Sequence, residues 1–161
     1  PPLLMVGYWI ATRAMARVGP HVTFAVGLGF FVVSFMCTFL VTVVPACAEA
    51  LFWLGVLLRG LSYGLASPAS DTILSLRAGS QLQGRIFSWN GMFQTLGSLV
   101  GMLVWSNVLW RNGAQGWHAG VPWFASALVS ALSLVWFCML HWQTRTAPTI
   151  SFELQEGLSV L

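Results

Sequence analysis

The chain has 161 residues, of which 57% are hydrophobic and 7% charged. Soluble domains carry about 25% charged residues, so this chain lacks the polar coat that a soluble enzyme, a secreted scaffold or a disordered segment requires. The net charge of +3 comes from seven scattered arginines and no lysine, which does not form a basic face, so no nucleic-acid partner is expected. The composition is that of an integral membrane protein whose first partner is the lipid bilayer.

The apolar opening, Pro1 to Ile10, reads as the tail of a span whose first half lies upstream, so the chain is expected to be a fragment. A basic loop follows, from Thr12 to His21. Val22 to Val44 carries no charge and is long enough to cross a bilayer. Pro45 and Glu49 end it, and a second full span is expected over 50–76. Arg77 to Arg85 reads as a polar loop, 86–110 as a third span, Arg111 to Gly120 as a turn, and 122–142 as a fourth. Residues 143–161 read as a tail.

Helices are the expected solution throughout, because an open sheet leaves its backbone unsatisfied in lipid and the runs exceed barrel strands. The fold class is therefore an all-α integral membrane protein, with four full transmembrane helices and a partial one. Arg13, Arg17, Arg77, Arg85 and Arg145 fall on one side, and Arg111 with Glu49 on the other. The positive-inside rule makes the arginine-rich side, and the C-terminus, cytoplasmic. Trp53, Trp110 and Trp123 at one set of span ends, with Trp89 and Trp142 at the other, suit interfacial anchors.

Arg59 is the most informative residue. It lies roughly 12 Å below the outer end of its span. An arginine at such depth costs about 2.5–3.5 kcal/mol on insertion scales, so it normally faces a partner or a water-filled cavity. Tyr63, Ser67 and Ser70 follow at helical spacing and extend a polar stripe along a candidate substrate path. A structural pair or snorkelling of Arg59 is the alternative. Asn90 and Gln94 form a second polar pair, suited to helix packing or to the same path. Asp71 is the single acid within a span, and a rim salt bridge with Arg17, Arg77 or Arg85 competes with a gating role. Gly60, Gly64 and Pro68, then Gly97 and Gly101, carry the small-residue rhythm that lets membrane helices approach closely.

Two of these patterns together resemble the C-terminal half of a major facilitator superfamily transporter, from the end of its eighth helix to its twelfth. Arg17 and Gly19 fit the degenerate copy of that family's basic loop, with Thr12, Ala16, Pro20 and His21 replacing its other positions. Gly60-x-x-x-Gly64-x-x-x-Pro68, Gln83-Gly84-Arg85 and then Gly91, Gly97 and Gly101 match the rhythm of the tenth and eleventh helices. That rhythm leans toward the tetracycline-efflux and related drug:proton antiporters. Met102 follows Gly101, so the antiporter signature of the fifth helix is not in this chain.

The resemblance implies a twelve-helix fold, alternating access, and a small-molecule substrate bound against an N-terminal half that lies outside this chain. It places Arg59 on a helix lining the path, puts Arg17, Gly19, Asp71 and Arg85 at a cytoplasmic rim or gate, and makes protons a candidate coupling ion. An enzyme is not expected: no span holds a histidine at mid-depth, and no Gly-x-Ser-x-Gly occurs. No cofactor and no metal site is expected, since His21, His118 and His141 lack ligand spacing. The alternative function is a non-transporting membrane scaffold or an inactive truncated product.

Overall fold

A computed structural model describes residues 2–104 and 117–146, and every regular element in them is helical. The elements are α1 (Pro2–Val18), α2 (Pro20–Val43), a single 3-10 turn (Pro45–Cys47), α3 (Ala48–Val104) and α4 (Trp117–Thr146). Three stretches are long and apolar enough to cross a membrane: Pro20–Val43, Pro45–Ala78 and His118–Gln143.

The uncharged run after His21 folds as the single helix α2, as its composition dictates. Two expected loops, in contrast, are mostly helix. The basic loop over 12–21 shrinks to one residue, because α1 continues through Arg13 and Arg17 to Val18. Gly19 alone turns the chain, at φ +85°, a left-handed conformation that side chains with a Cβ rarely adopt. Pro20 then starts α2 at a position where its missing N–H costs nothing.

The second expected loop, Arg77 to Arg85, lies wholly within α3. Ala78, Leu82 and Gln83 are good helix formers, and each glycine there costs only about 1 kcal/mol relative to alanine, too little to stop a helix. α3 therefore runs for 57 residues where two spans and a loop were expected, and it passes through Pro68. The expected turn over 111–120 is partly helix too, since α4 begins at Trp117. Trp105, Trp110, Arg111 and the tail beyond Thr146 lie outside the described residues.

α2 is the hub of the bundle. It packs antiparallel to α1 and to the first half of α3, and α4 packs along it on the other side. α1 and α3 run parallel: Gly7 meets Gly64, and Met15 meets Thr72, at a constant offset in the chain. The buried positions are mostly small: Ala11, Thr23, Ser34, Cys37, Ser62, Ala66, Ala69 and Ala127. The large side chains point outward, with Trp9, Trp53, Leu132 and Trp136 each more than half exposed. Small inside and large outside is the pattern of helices that pack closely while lipid solvates the perimeter. Several hydroxyls inside the spans bond to their own helix: Ser62 donates to Leu58 O at 2.7 Å, Thr72 to Pro68 O at 2.7 Å, and Ser126 to Pro122 O at 3.0 Å.

Candidate functional site

Arg59 sits about 16 Å along α3 from its first residue and points between α2 and α4. Its Nε donates to Ser34 Oγ at 3.3 Å, and its Nη2 donates to Thr38 Oγ1 at 3.2 Å. Each hydroxyl hands its own proton to a backbone carbonyl: Ser34 Oγ donates to Gly55 O at 2.7 Å, and Thr38 Oγ1 to Ser34 O at 2.9 Å. Ser34 is completely buried, so the first of these bonds is shielded from water. The guanidinium also lies over two rings, 4.7 Å from the centroid of Phe35 and 5.1 Å from that of Trp123. Phe35 and Trp123 stack with centroids 6.4 Å apart. The charge is thus held by two hydroxyls and two π-faces, and among the described residues no carboxylate pairs with it. Cation–π contacts gain strength when desolvated, up to about 2 kcal/mol, which offsets much of the cost of an arginine at this depth.

This cage joins three helices. Sequence reasoning found Arg59 but not Ser34, Thr38 or Phe35, because hydroxyls and aromatics inside an apolar run carry no sign of which neighbour they meet. Trp123, expected at a membrane interface, forms the outer wall of the cage.

The stripe expected below Arg59 divides. Tyr63 is 54% exposed and meets the edge of Phe31 at 4.7 Å. Ser67 is exposed and Ser70 half-buried, so neither shares the enclosed surroundings of Arg59. Asn90 is half-buried and Gln94 exposed, both on the distal half of α3, away from the cage. Asp71, Arg17 and Arg85 are exposed, and no rim salt bridge forms between Asp71 and Arg17, Arg77 or Arg85 among the described residues.

The glycines differ just as sharply. A Cβ on Gly64 would fall 2.5 Å from the Cα of Gly7, and the carbonyl of Gly60 lies beside the same residue. Gly97 and Gly101 have no atom of another element within 4 Å of where a Cβ would be, so the packing expected of them has no partner helix among the described residues.

The chain is a multi-pass integral membrane protein. Over 123 residues it is 31% identical to the Multidrug resistance protein MdtG of Klebsiella pneumoniae (strain 342). The matched stretch is 73% of this chain and 28% of that protein, so the chain spans little more than a quarter of the relative's length. No protein-family model matches the chain, and no solved structure matches it. Among the described residues no group of three or more His, Cys, Asp or Glu side chains is placed to hold a metal ion.

Proposed function

We propose that the chain is part of a major facilitator superfamily transporter that moves a small organic solute across the membrane by alternating access. The observation that carries this reading is the 31% identity to a multidrug resistance protein over 73% of the chain. Efflux of drug-like solutes is the substrate class that this relative favours, with protons the candidate coupling ion. α1, α2 and the first half of α3 then take the places of the eighth, ninth and tenth helices, and α4 that of the twelfth. An N-terminal half outside this chain supplies the other wall of the path.

Within that reading Arg59 is a positioning residue. Its donors and its π-contacts go to α2 and α4, on the flank of α3, and so they lock those helices together as one moving body. Tyr63 and Ser67, exposed on α3, are better placed to meet solute at an interface with the other half.

The distal half of α3 bears on the same reading. A straight helix of 57 residues reaches about 85 Å, nearly three times the hydrocarbon thickness of a bilayer. Phe93, Leu96, Leu99, Val100, Met102 and Leu103 are exposed along its end. Outside the membrane these side chains would face water, at about 25 cal/mol for every Å² of apolar surface. We propose that in the bilayer the chain bends back between Ala78 and Arg85, so that the segment from about 86 to 110 returns as a further span. The termini of α1 and α4 that carry Arg17 and Arg145 would then face the cytoplasm, with the tail over 143–161.

The test is transport by the complete protein in proteoliposomes. Under an imposed proton gradient, movement of a lipophilic dye is expected, abolished by an uncoupler and independent of ATP. Correctly inserted protein that moves none of a broad panel of lipophilic solutes under any ion gradient would leave the scaffold reading in its place.

A further inference from the structure

One hydrogen bond in α3 does not fit a straight helix. The side-chain amide of Gln83 donates from Nε2 to Ser75 Oγ at 3.1 Å, and the same nitrogen lies 3.4 Å from Ser75 O. Eight residues of straight α-helix put the two Cα atoms about 12 Å apart. A fully extended glutamine carries its Nε2 about 5 Å from its Cα, and a serine hydroxyl lies about 2.4 Å from its own. With a bond of 3.1 Å between them, the side chains meet only if the two Cα atoms are closer than about 10.5 Å. α3 is therefore bent between Ser75 and Gln83, toward the side on which these two side chains lie.

Sequence and position account for the bend. Gly79 and Ser80 lie between the two residues, and Gly/Ser pairs are among the places where helices kink sharply. On either side stand good helix formers, Arg77, Ala78, Leu82 and Gln83 itself, which favour straight continuation. The α1–α3 contacts fix the level of the bend. Met15 meets Thr72, 57 residues on, and Gly7 meets Gly64 at the same offset. Ser75 is therefore level with Val18, where α1 ends. The bend begins where the bundle ends, and from Gln83 to Val104 α3 continues for about 31 Å, close to the hydrocarbon thickness of a bilayer.

We propose that Gln83 is a strap that fixes this bend: by holding Ser75 Oγ and O, its amide sets the direction in which the distal half of α3 leaves the bundle. The inference rests on the reading that this half returns as a further span. Gln83 is then a positioning residue for that span and has no contact with solute. When the strap opens, the helix at Gly79 and Ser80 no longer holds one direction, and the distal half swings.

The experiment uses the complete protein in lipid vesicles, without its native cysteines and with pairs of nitroxide labels read by electron–electron double resonance. Labels at the exposed positions Asp71 and Ser88 report the bend, since a straight helix holds them about 25 Å apart. Labels at Leu57 and Leu96, also exposed, report the return, since a straight helix holds them about 58 Å apart. With Gln83 present, the Asp71–Ser88 distance is expected to be narrowly distributed and below about 20 Å. Gln83→Leu, which keeps the bulk and removes the donor, is expected to broaden that distribution and to move its mean outward by about 3 Å or more. Gln83→Lys, whose ammonium donates to the same two oxygens, is expected to restore it. Gln94→Leu, a like change farther along α3, is expected to leave it unchanged. An Asp71–Ser88 distance unaffected by Gln83→Leu overturns the strap, as does a distance of about 25 Å in the unsubstituted protein. A Leu57–Leu96 distance near about 58 Å, with an Asp71–Ser88 distance that depends on Gln83, ends the reading of a returning span and leaves the strap in place.

Discussion

Gly7 and Gly64 face each other so closely that a Cβ on Gly7 would lie 2.7 Å from the Cα of Gly64. Backbone meets backbone there, and the parallel pairing of α1 with α3 depends on it. Gly64→Ala must push the helices apart, at about 1–3 kcal/mol. Gly97→Ala, in open space on the same helix, should be neutral or slightly stabilising. Reversible unfolding in mixed micelles separates the two, and equal stabilities would show that α1 and α3 do not meet at these glycines.

Arg59 makes two opposing contributions, and their balance can be measured. Removing its charge recovers an insertion cost of about 2.5–3.5 kcal/mol, while its cage contacts are lost. Ser34 stays satisfied without it, because its hydroxyl donates to Gly55 O. Arg59→Leu is therefore expected within about 1 kcal/mol of the unsubstituted protein. Arg59→Lys keeps a charge but loses the planar stack on Phe35 and Trp123, and should be less stable by about 1–2 kcal/mol. Transport lost with unchanged stability in both variants would instead make Arg59 a solute contact.

Ser34 and Arg59 should be energetically coupled. In Ser34→Ala the Nε–H of Arg59 loses its acceptor, at about 1–3 kcal/mol. The same substitution made in Arg59→Leu should cost less, leaving a coupling of about 0.6 kcal/mol or more. Additive effects would mean that the two side chains do not interact in the membrane.

The return of the chain after Ala78 is open to chemical labelling. In a background without Cys37, Cys47 and Cys138, a cysteine at Gly84 should react with a membrane-impermeant maleimide added on its side of the membrane. A cysteine at Leu99 should react only after the bilayer is dissolved. Rapid labelling of both positions in intact vesicles would mean that the distal half of α3 lies in water.

The parts that were legible in the sequence are those governed by composition. A run without charge from Val22 to Val44 can only be a buried or lipid-facing helix, and α2 ends within a residue or two of it. Arg59 stood out because a lone charge at membrane depth demands an explanation. Its partners did not, since the register that places Ser34 and Thr38 beside it is a property of two helices together. His21 and His141, whose rings stack across α2 and α4, are far apart in the chain, and spacing rules that look along one helix do not pair them. The basic loop differs for another reason. Arginines mark where a membrane surface lies, but they are good helix formers, so polarity over 12–18 does not imply an interrupted backbone.

α4 packs along α2, and Arg59 reaches across to it through Trp123. During synthesis α4 leaves the ribosome after α1, α2 and α3, roughly a hundred residues behind the start of the helix that receives it. α1, α2 and the first half of α3 can already be assembled by then, held by the glycine contact and by the Ser34 and Thr38 bonds. α4 thus docks onto a finished seat, and nascent chains halted before Trp117 should already protect Ser34 from solvent.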